Sequence, residues 1–280
     1  MRAAVSDLDE PVESIEIVAA STLGDPAALE PLARRIFGEG DRRAGWFARK
    51  LHREGVDPRL SQVATVDGRP YGYVLVGTPF DAVARTAGVG VDPRWRGRGI
   101  GSRLLAASAR AAQQAGFQRL RALAEPDRLE FYARAGFVGC RTNHSLLNFS
   151  TGAPEPDADP SPPARGWGEI GDCTHEHAAW MQMAWERTPA SERATLDLAG
   201  EGTVHLSREG EAHLVHRLTA QRPDDESAVR IAAELLRRLP RPRPVLLYGC
   251  NTVSSITSSL MRAGWVSVQT AVVMEKPLHA

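Results

Sequence analysis

The chain has 280 residues, which corresponds to about two domains at roughly 150 residues each, so two units are expected rather than one. Apolar residues make up 42% and charged residues 24%, the balance of a soluble globular chain. Lys+Arg and Asp+Glu both total 34, and zero net charge argues against a basic nucleic-acid binder and against a protein held to acidic lipid by charge. No run of about 18 apolar residues is present, so no membrane-spanning helix is expected. Residues 1–13 are acidic, lack the apolar stretch of a secretion signal, and read as a short flexible tail. Cys140, Cys173 and Cys250 are far apart and odd in number, giving neither a metal spacing nor a disulfide framework. That usage suits a reducing cytoplasm.

The clearest division is segment 151–165, TGAPEPDADPSPPAR, a proline-rich stretch of the kind that forms an extended, semi-rigid spacer. It separates a first unit, 14–150, from a second, 166–280, each large enough to bury its own core. In the first unit, 14–20 alternates like a strand. A helix is expected over 25–37, with Asp25 as cap and Pro26 in the first turn, and a second short helix over 46–53. Strands follow at 61–66, at 71–77 after the Asp67-Gly68 turn, and at 82–91. An alanine- and leucine-rich helix at 102–115 is closed by Gly116. A short strand at 120–124, a helix at 129–135 stopped by Gly136, and a strand region at 137–149 complete the unit.

The second unit repeats this ending. LEFYARAGFV at 129–138 and TSSLMRAGWV at 257–266 align on Arg-Ala-Gly-aromatic-Val, which sets Leu260 at the place of Tyr132. Strands at 212–219, 245–248 and 268–276 and a helix at 228–239 surround it in the same order, as an internal duplication would leave them.

Chemistry concentrates in 89–102, VGVDPRWRGRGIGS. A strand ends at Asp92-Pro93, a loop follows, and a helix begins near Gly101. Gly97, Gly99 and Gly101 lack a Cβ, so their backbone N–H groups can approach a ligand closely. They adjoin the unsatisfied first turn of a helix, whose dipole favours an anion, and Arg94, Arg96 and Arg98 add positive charge. The pattern suits a pyrophosphate. Taken alone, the glycines fit a plain strand-to-helix turn equally well.

The loop also matches Arg-x-x-Gly-x-Gly, with Arg96, Gly99 and Gly101 at the fixed places, and Phe131-Tyr132 follows about 30 residues later. Together these features resemble the GCN5-related N-acetyltransferase family, whose members bind acetyl-CoA by its pyrophosphate at that loop. The resemblance covers the whole first unit, and the second resembles a degenerate copy. It implies an α/β (α+β) chain of two acyl-CoA N-acyltransferase folds in tandem, each a mixed, mostly antiparallel sheet flanked by helices. Arg96, Gly97, Arg98, Gly99, Ile100, Gly101 and Ser102 would hold the pyrophosphate. Val89, Gly90 and Val91 would pair with the pantetheine arm, and the amide near Val91 would polarise the thioester carbonyl. Tyr132 matches the family's general acid, which protonates the leaving thiolate; a packing role beside Phe131 and Phe137 is the alternative.

Two departures stand out. Glu125 occupies the place seven before the tyrosine where many relatives carry asparagine; it would serve as base, as substrate anchor, or only as a solvated strand-end carboxylate. No acidic residue lies in 82–91, where many members place a glutamate base. A water relay, or an amine already partly neutral, would replace it, with His144 as a lesser candidate. The second unit lacks the glycine loop altogether: AQRPDDES, 220–227, brings Asp224, Asp225 and Glu226 where a pyrophosphate would lie.

The histidine pairs His175/His177 and His213/His216 have spacings that point to different faces, so no metal is expected. Trp180, Met181, Ala184 and Trp185 have helical spacing and read as core. The expected activity is acetyl transfer from acetyl-CoA, as co-substrate, to a small-molecule or peptide amine by direct attack, without metal, nucleic acid or membrane. A non-catalytic acyl-CoA-binding regulatory module is the alternative, and the acceptor and oligomeric state stay open.

Overall fold

The computed structural model describes residues 14–38, 44–78, 82–151, 168–169, 175–198, 202–220, 224–239 and 242–278. The acidic tail and nearly all of the proline-rich segment therefore lie outside the described residues. Strand β1 (Glu16–Ala19) leads through 3-10 turns into helix α1 (Glu30–Phe37). Asp25 starts that stretch as its spacing predicts: the carboxylate accepts the Ala27 N–H at 2.8 Å, and Pro26 sits where a missing N–H costs nothing. Helix α2 (Trp46–Arg53) and strands β2 (Gln62–Val66), β3 (Arg69–Gly77) and β4 (Val83–Val91) follow. Then come α3 (Ile100–Gln114), β5 (Arg119–Ala124), α4 (Leu129–Arg134) and β6 (Val138–Phe149).

The second half runs β7 (Gly168–Glu169), α5 (His175–Glu186), β8 (Arg193–Asp197), β9 (Gly202–Glu209) and β10 (Ala212–Ala220). It ends with α6 (Asp225–Arg238), β11 (Pro244–Asn251), α7 (Ser255–Arg262) and β12 (Val266–Pro277). Strands β8 and β9 are not evident from hydrophobic alternation, for a physical reason. Their buried positions include Thr195, Thr203, His205 and Ser207, polar residues that mask the period-two signal.

The two halves do not close separately. All strands join one sheet in the order β1-β2-β3-β4-β5-β12-β6-β11-β10-β9-β8, with β7 added on β10. Each half gives its last strand to the other: β12 lies between β5 and β6, and β6 lies between β12 and β11. The cores follow the strands. Met274 and Leu278, late in the chain, are buried in the core under α3 and α4, while Leu146 is buried with α6 and α7. A third core, around α1 and α2, is made of first-half residues alone.

On the opposite face α2 meets α5. Arg187 donates to the His52 carbonyl at 3.3 Å, and Arg53 pairs with Glu209. Glu54 is buried between Lys50 and Arg85, 2.8 Å from the latter, and the Arg85 guanidinium lies 3.8 Å over the Trp180 ring. Burial alone would neutralise Glu54, but these two cations prevail and hold its carboxyl below the usual range. Of the four residues read as core on α5, Met181 and Ala184 are buried; Trp180 and Trp185 are half-buried platforms for arginine. No helix among the described residues is long and apolar enough to cross a membrane.

Candidate active site

The sheet opens beside β4. This strand pairs with β3 along its length but with β5 only at Val83↔Arg119, Ala84↔Leu120 and Arg85↔Arg121. Opposite Leu75 and Val76 the register slips by one residue, leaving Ala87 as the extra one. Such a bulge bends its strand. Beyond it the edge of β4, with Val89, Gly90 and Val91, has left β5, while β5 continues on β12 as far as Ala124↔Val272. The result is a notch with one lip of backbone that β5 does not pair. Gly90 has a packing role as well: a Cβ there would meet Ile36 of α1 at 2.8 Å.

At the end of that lip stands the glycine loop. Asp92 anchors it, accepting the Arg94 N–H at 3.1 Å and the Arg35 guanidinium at 3.0 Å. Burial favours the neutral acid, yet these hydrogen bonds hold the Asp92 carboxyl below its usual range. Arg96 donates to the Val91 carbonyl at 3.1 Å, and Arg98 lies 4.6 Å over Trp95. Gly97 and Gly99 have φ of +77° and +72°, and a Cβ at either would meet nothing within 4 Å. The space over them is open. Gly101 differs, because a Cβ there would strike the Phe131 ring at 2.9 Å. Ile100 is buried and offers only its backbone, whereas Ser102 is exposed. Gly99 caps α3 without a side-chain hydrogen bond, and the first turn carries no acid. The N–H groups of this turn are thus left for an anion.

Tyr132 lies on α4 next to Phe131, whose ring meets Gly101; it is 6% exposed, with its ring edge-on to Phe131 and Phe137. Burial pushes the phenol up to about 12; the Glu125 carboxylate pushes the same way, and Arg128 opposes. A phenol so placed stays protonated at neutral pH and can donate. It also packs in the core, so both readings of Tyr132 have a physical basis.

Glu125 is exposed just past the end of β5 and accepts a hydrogen bond from Gln269 Nε2 of β12 at 3.0 Å. His144 is engaged elsewhere, its Nδ1 facing Ser267 Oγ at 2.8 Å and Thr270 Oγ1 at 3.2 Å. Its neighbour Asn143 is buried, with both amide atoms unpartnered among the described residues. Gln269 and Arg35 carry no local sequence signal. The first comes from the far end of the chain and the second from a helix packed behind the loop.

The second half has the same frame with its openings filled. β10 and β11 pair only at His213↔Val245, Leu214↔Leu246 and Val215↔Leu247. Past the slip at His216, the edge facing away from β9 is taken by β7, through Thr219↔Glu169 and Ala220↔Gly168. At the start of α6 the Asp224 carboxylate accepts the Ser227 N–H at 2.7 Å. Asp225 accepts from Ser255 and Ser259 of α7 at 2.7 and 3.0 Å. Asp224 thus takes a first-turn N–H of α6, whereas the start of α3 has no side-chain cap. His216 contacts Ser207 and the Met181 carbonyl. The side chains of His175 and His177 and all of Cys173 lie outside the described residues; Cys140 is exposed and Cys250 buried. Among the described residues no three His, Cys, Asp or Glu side chains gather as a metal site would require.

Residues 59–139 match the acetyltransferase (GNAT) domain family. No curated protein matches the chain. Among solved structures, a GCN5-related N-acetyltransferase from Sphaerobacter thermophilus superposes with a TM-score of 0.61 at 17% identity, covering 95% of this chain and 96% of that one. A tandem GNAT protein from the clavulanic acid biosynthesis pathway gives 0.58 at 16%, covering 95% and 99%. A GCN5-related N-acetyltransferase from Kribbella flavida gives 0.56 at 15%, covering 95% and 72%. At these identities the likeness is one of fold. The sequence match over 59–139 and the tandem fold over nearly the whole chain fit the GCN5-related N-acetyltransferase superfamily.

Proposed function

We propose that the protein is an acyl-CoA-dependent N-acyltransferase whose first half moves an acetyl group from acetyl-CoA to a primary amine by direct attack. The match to the acetyltransferase domain family supports acyltransferase activity; the acetyl donor, the amine and the division of labour are the finer reading. One observation carries it: the uncapped N-terminus of α3 opens beside the free edge of β4.

In this reading the α3 first turn, from Gly99 to Ser102, receives the pyrophosphate, with Arg96, Gly97 and Arg98 alongside. The β4 edge at Val89–Val91 receives the pantetheine arm as an added strand, and the amide near Val91 donates to the thioester oxygen. The amine nitrogen bonds to the carbonyl carbon, the carbon–sulfur bond breaks, and Tyr132 gives the departing sulfur its proton. The attacking nitrogen sheds a proton to Glu125 or to water. No covalent enzyme intermediate is needed, and no activated Ser or Cys among the described residues supports one.

The division of the chain at 151–165 into a catalytic first unit and a degenerate second unit belongs to the same reading. The second unit serves by lending β12 and packing α5 against α2.

Thiol release from acetyl-CoA, measured against amines, amino acids, aminoglycosides and peptides, tests the activity. Amine-dependent release supports it. Tight acetyl-CoA binding with no release for any acceptor favours a regulatory binding module instead.

A further inference from the structure

β5 stops at Ala124, paired with Val272, but β12 runs on from Ala271 back to Val266 with β6 at its other edge. The far lip of the notch is therefore built by a strand from the second half. Side-chain faces follow from the pairing. Ala124 and Val272 pack under α3 and α4, so Glu125 and Ala271, one residue on, turn to the opposite face. Gln269 shares that face with Ala271, and Ser145 lies opposite Gln269 in the register.

The hydrogen bonds run in one direction across these residues. Ser145 Oγ donates to Gln269 Oε1 at 3.5 Å, and Gln269 Nε2 donates to Glu125 Oε1 at 3.0 Å. A glutamine whose oxygen is taken by a hydroxyl presents its NH₂ outward, which fixes its orientation. That NH₂ occupies one carboxylate oxygen of Glu125 and leaves Oε2 for another donor. An exposed carboxylate after a strand end otherwise samples several rotamers, and ordering it on binding costs affinity.

Resting on the acyltransferase reading above, we infer that Gln269, supplied by the exchanged strand, is a positioning residue that orients Glu125 to receive the ammonium of an alkylamine acceptor. The acceptor class follows from the chemistry. A carboxylate with one free oxygen attracts an alkylammonium, which is charged at neutral pH, and gains little from an arylamine, which is not. The first site is then incomplete without the second half.

The test is steady-state kinetics on the full chain with acetyl-CoA and three alkylamine probes, spermidine, L-lysine and 2-aminoethanol, beside the arylamine 4-methylaniline. Gln269→Leu should raise KM for the accepted alkylamine about tenfold, the size of one charge-assisted contact, and leave KM for acetyl-CoA within twofold. Glu125→Gln should do the same, and adding Gln269→Leu to it should cost nothing further. Gln269→Glu, which sets two carboxylates together, should be at least as damaging as Gln269→Leu.

Four results would overturn the inference: an unchanged amine KM in Gln269→Leu, a full extra loss in the Glu125→Gln background, preference for the arylamine, or acetylation of none of the alkylamines. A melting temperature within about 2 °C of wild type keeps a packing defect from passing for a positioning effect. Calorimetry with acetyl-CoA on the unaltered chain separates the two levels, because absent binding would refute the acyltransferase reading itself.

Discussion

Tyr132 and Leu260 hold the same place in two copies of one backbone frame. The Tyr132 carbonyl accepts the Phe137 N–H at 3.1 Å, and the Leu260 carbonyl accepts the Trp265 N–H at 3.1 Å. Both helices then leave through glycine in the left-handed region, Gly136 at φ +84° and Gly264 at +94°. Only the side chain differs, a phenol in one and an isobutyl group in the other.

If the phenol is the acid, Tyr132→Phe should lower kcat by about 10²–10⁴ and leave acetyl-CoA affinity within a few-fold, since general acid catalysis is worth that much. The buried ring is retained, so stability should change little. Unchanged kcat per folded molecule would return Tyr132 to a packing role.

A carboxylate at the start of α3 separates ligand binding from folding. Substitution of Gly99 is a poor probe, because its φ of +72° strains any other residue. Ser102→Asp avoids this: an exposed acid in the first turn favours the helix by about 0.3–1 kcal/mol, yet opposes a bound pyrophosphate by about 1–4 kcal/mol. Thermal stability should hold or rise while acetyl-CoA affinity falls about tenfold or more. Equal affinity in calorimetry would move the cofactor away from α3.

Strand exchange predicts that the halves unfold together. Leu146→Ala and Met274→Ala each remove a buried side chain from the core of the other half, at about 2–5 kcal/mol apiece. Both should lower a single denaturant midpoint, and Met274→Ala should weaken acetyl-CoA binding although it lies in the second half. Two separable transitions, with each variant moving only its own half, would contradict the shared sheet.

Histidines under α5 set an acid limit on stability. Burial lowers His205 and His216 to about 4; for His205, Arg217 adds to this, and for His216 the hydrogen bond with the Met181 carbonyl opposes it. The unfolded chain protonates its histidines near 6.5, so below that pH it binds protons that the folded chain refuses. Stability should be full above about pH 6.5, fall as pH drops toward about 4, and lose no more from this source below it. Urea midpoints across that range check the trend. A slope that persists when both residues are made glutamine would assign it to other groups.

What could be read in the sequence was what is local. The α3 loop puts glycines, arginines and a helix start within a few residues, and Tyr132 is legible by its distance from that loop. The duplication shows because Arg-Ala-Gly-aromatic-Val encodes a helix exit and a strand entry in one run. Gln269 is not legible beside Glu125, because 144 residues separate them and only sheet order brings them together. The filling of the second notch was half legible. Asp224 and Asp225 announce themselves as carboxylates, but nothing in Gly168-Glu169 says that it pairs with β10.

In the proposed division of labour one half works on acyl-CoA and the other is closed to it. Titration calorimetry of the full chain with acetyl-CoA tests this most directly. One acetyl-CoA per chain is expected, weakened about tenfold or more in Ser102→Asp and kept within a few-fold when Asp224, Asp225 and Glu226 are replaced together. Two per chain, or one that survives Ser102→Asp and disappears with the second-half substitutions, would contradict it.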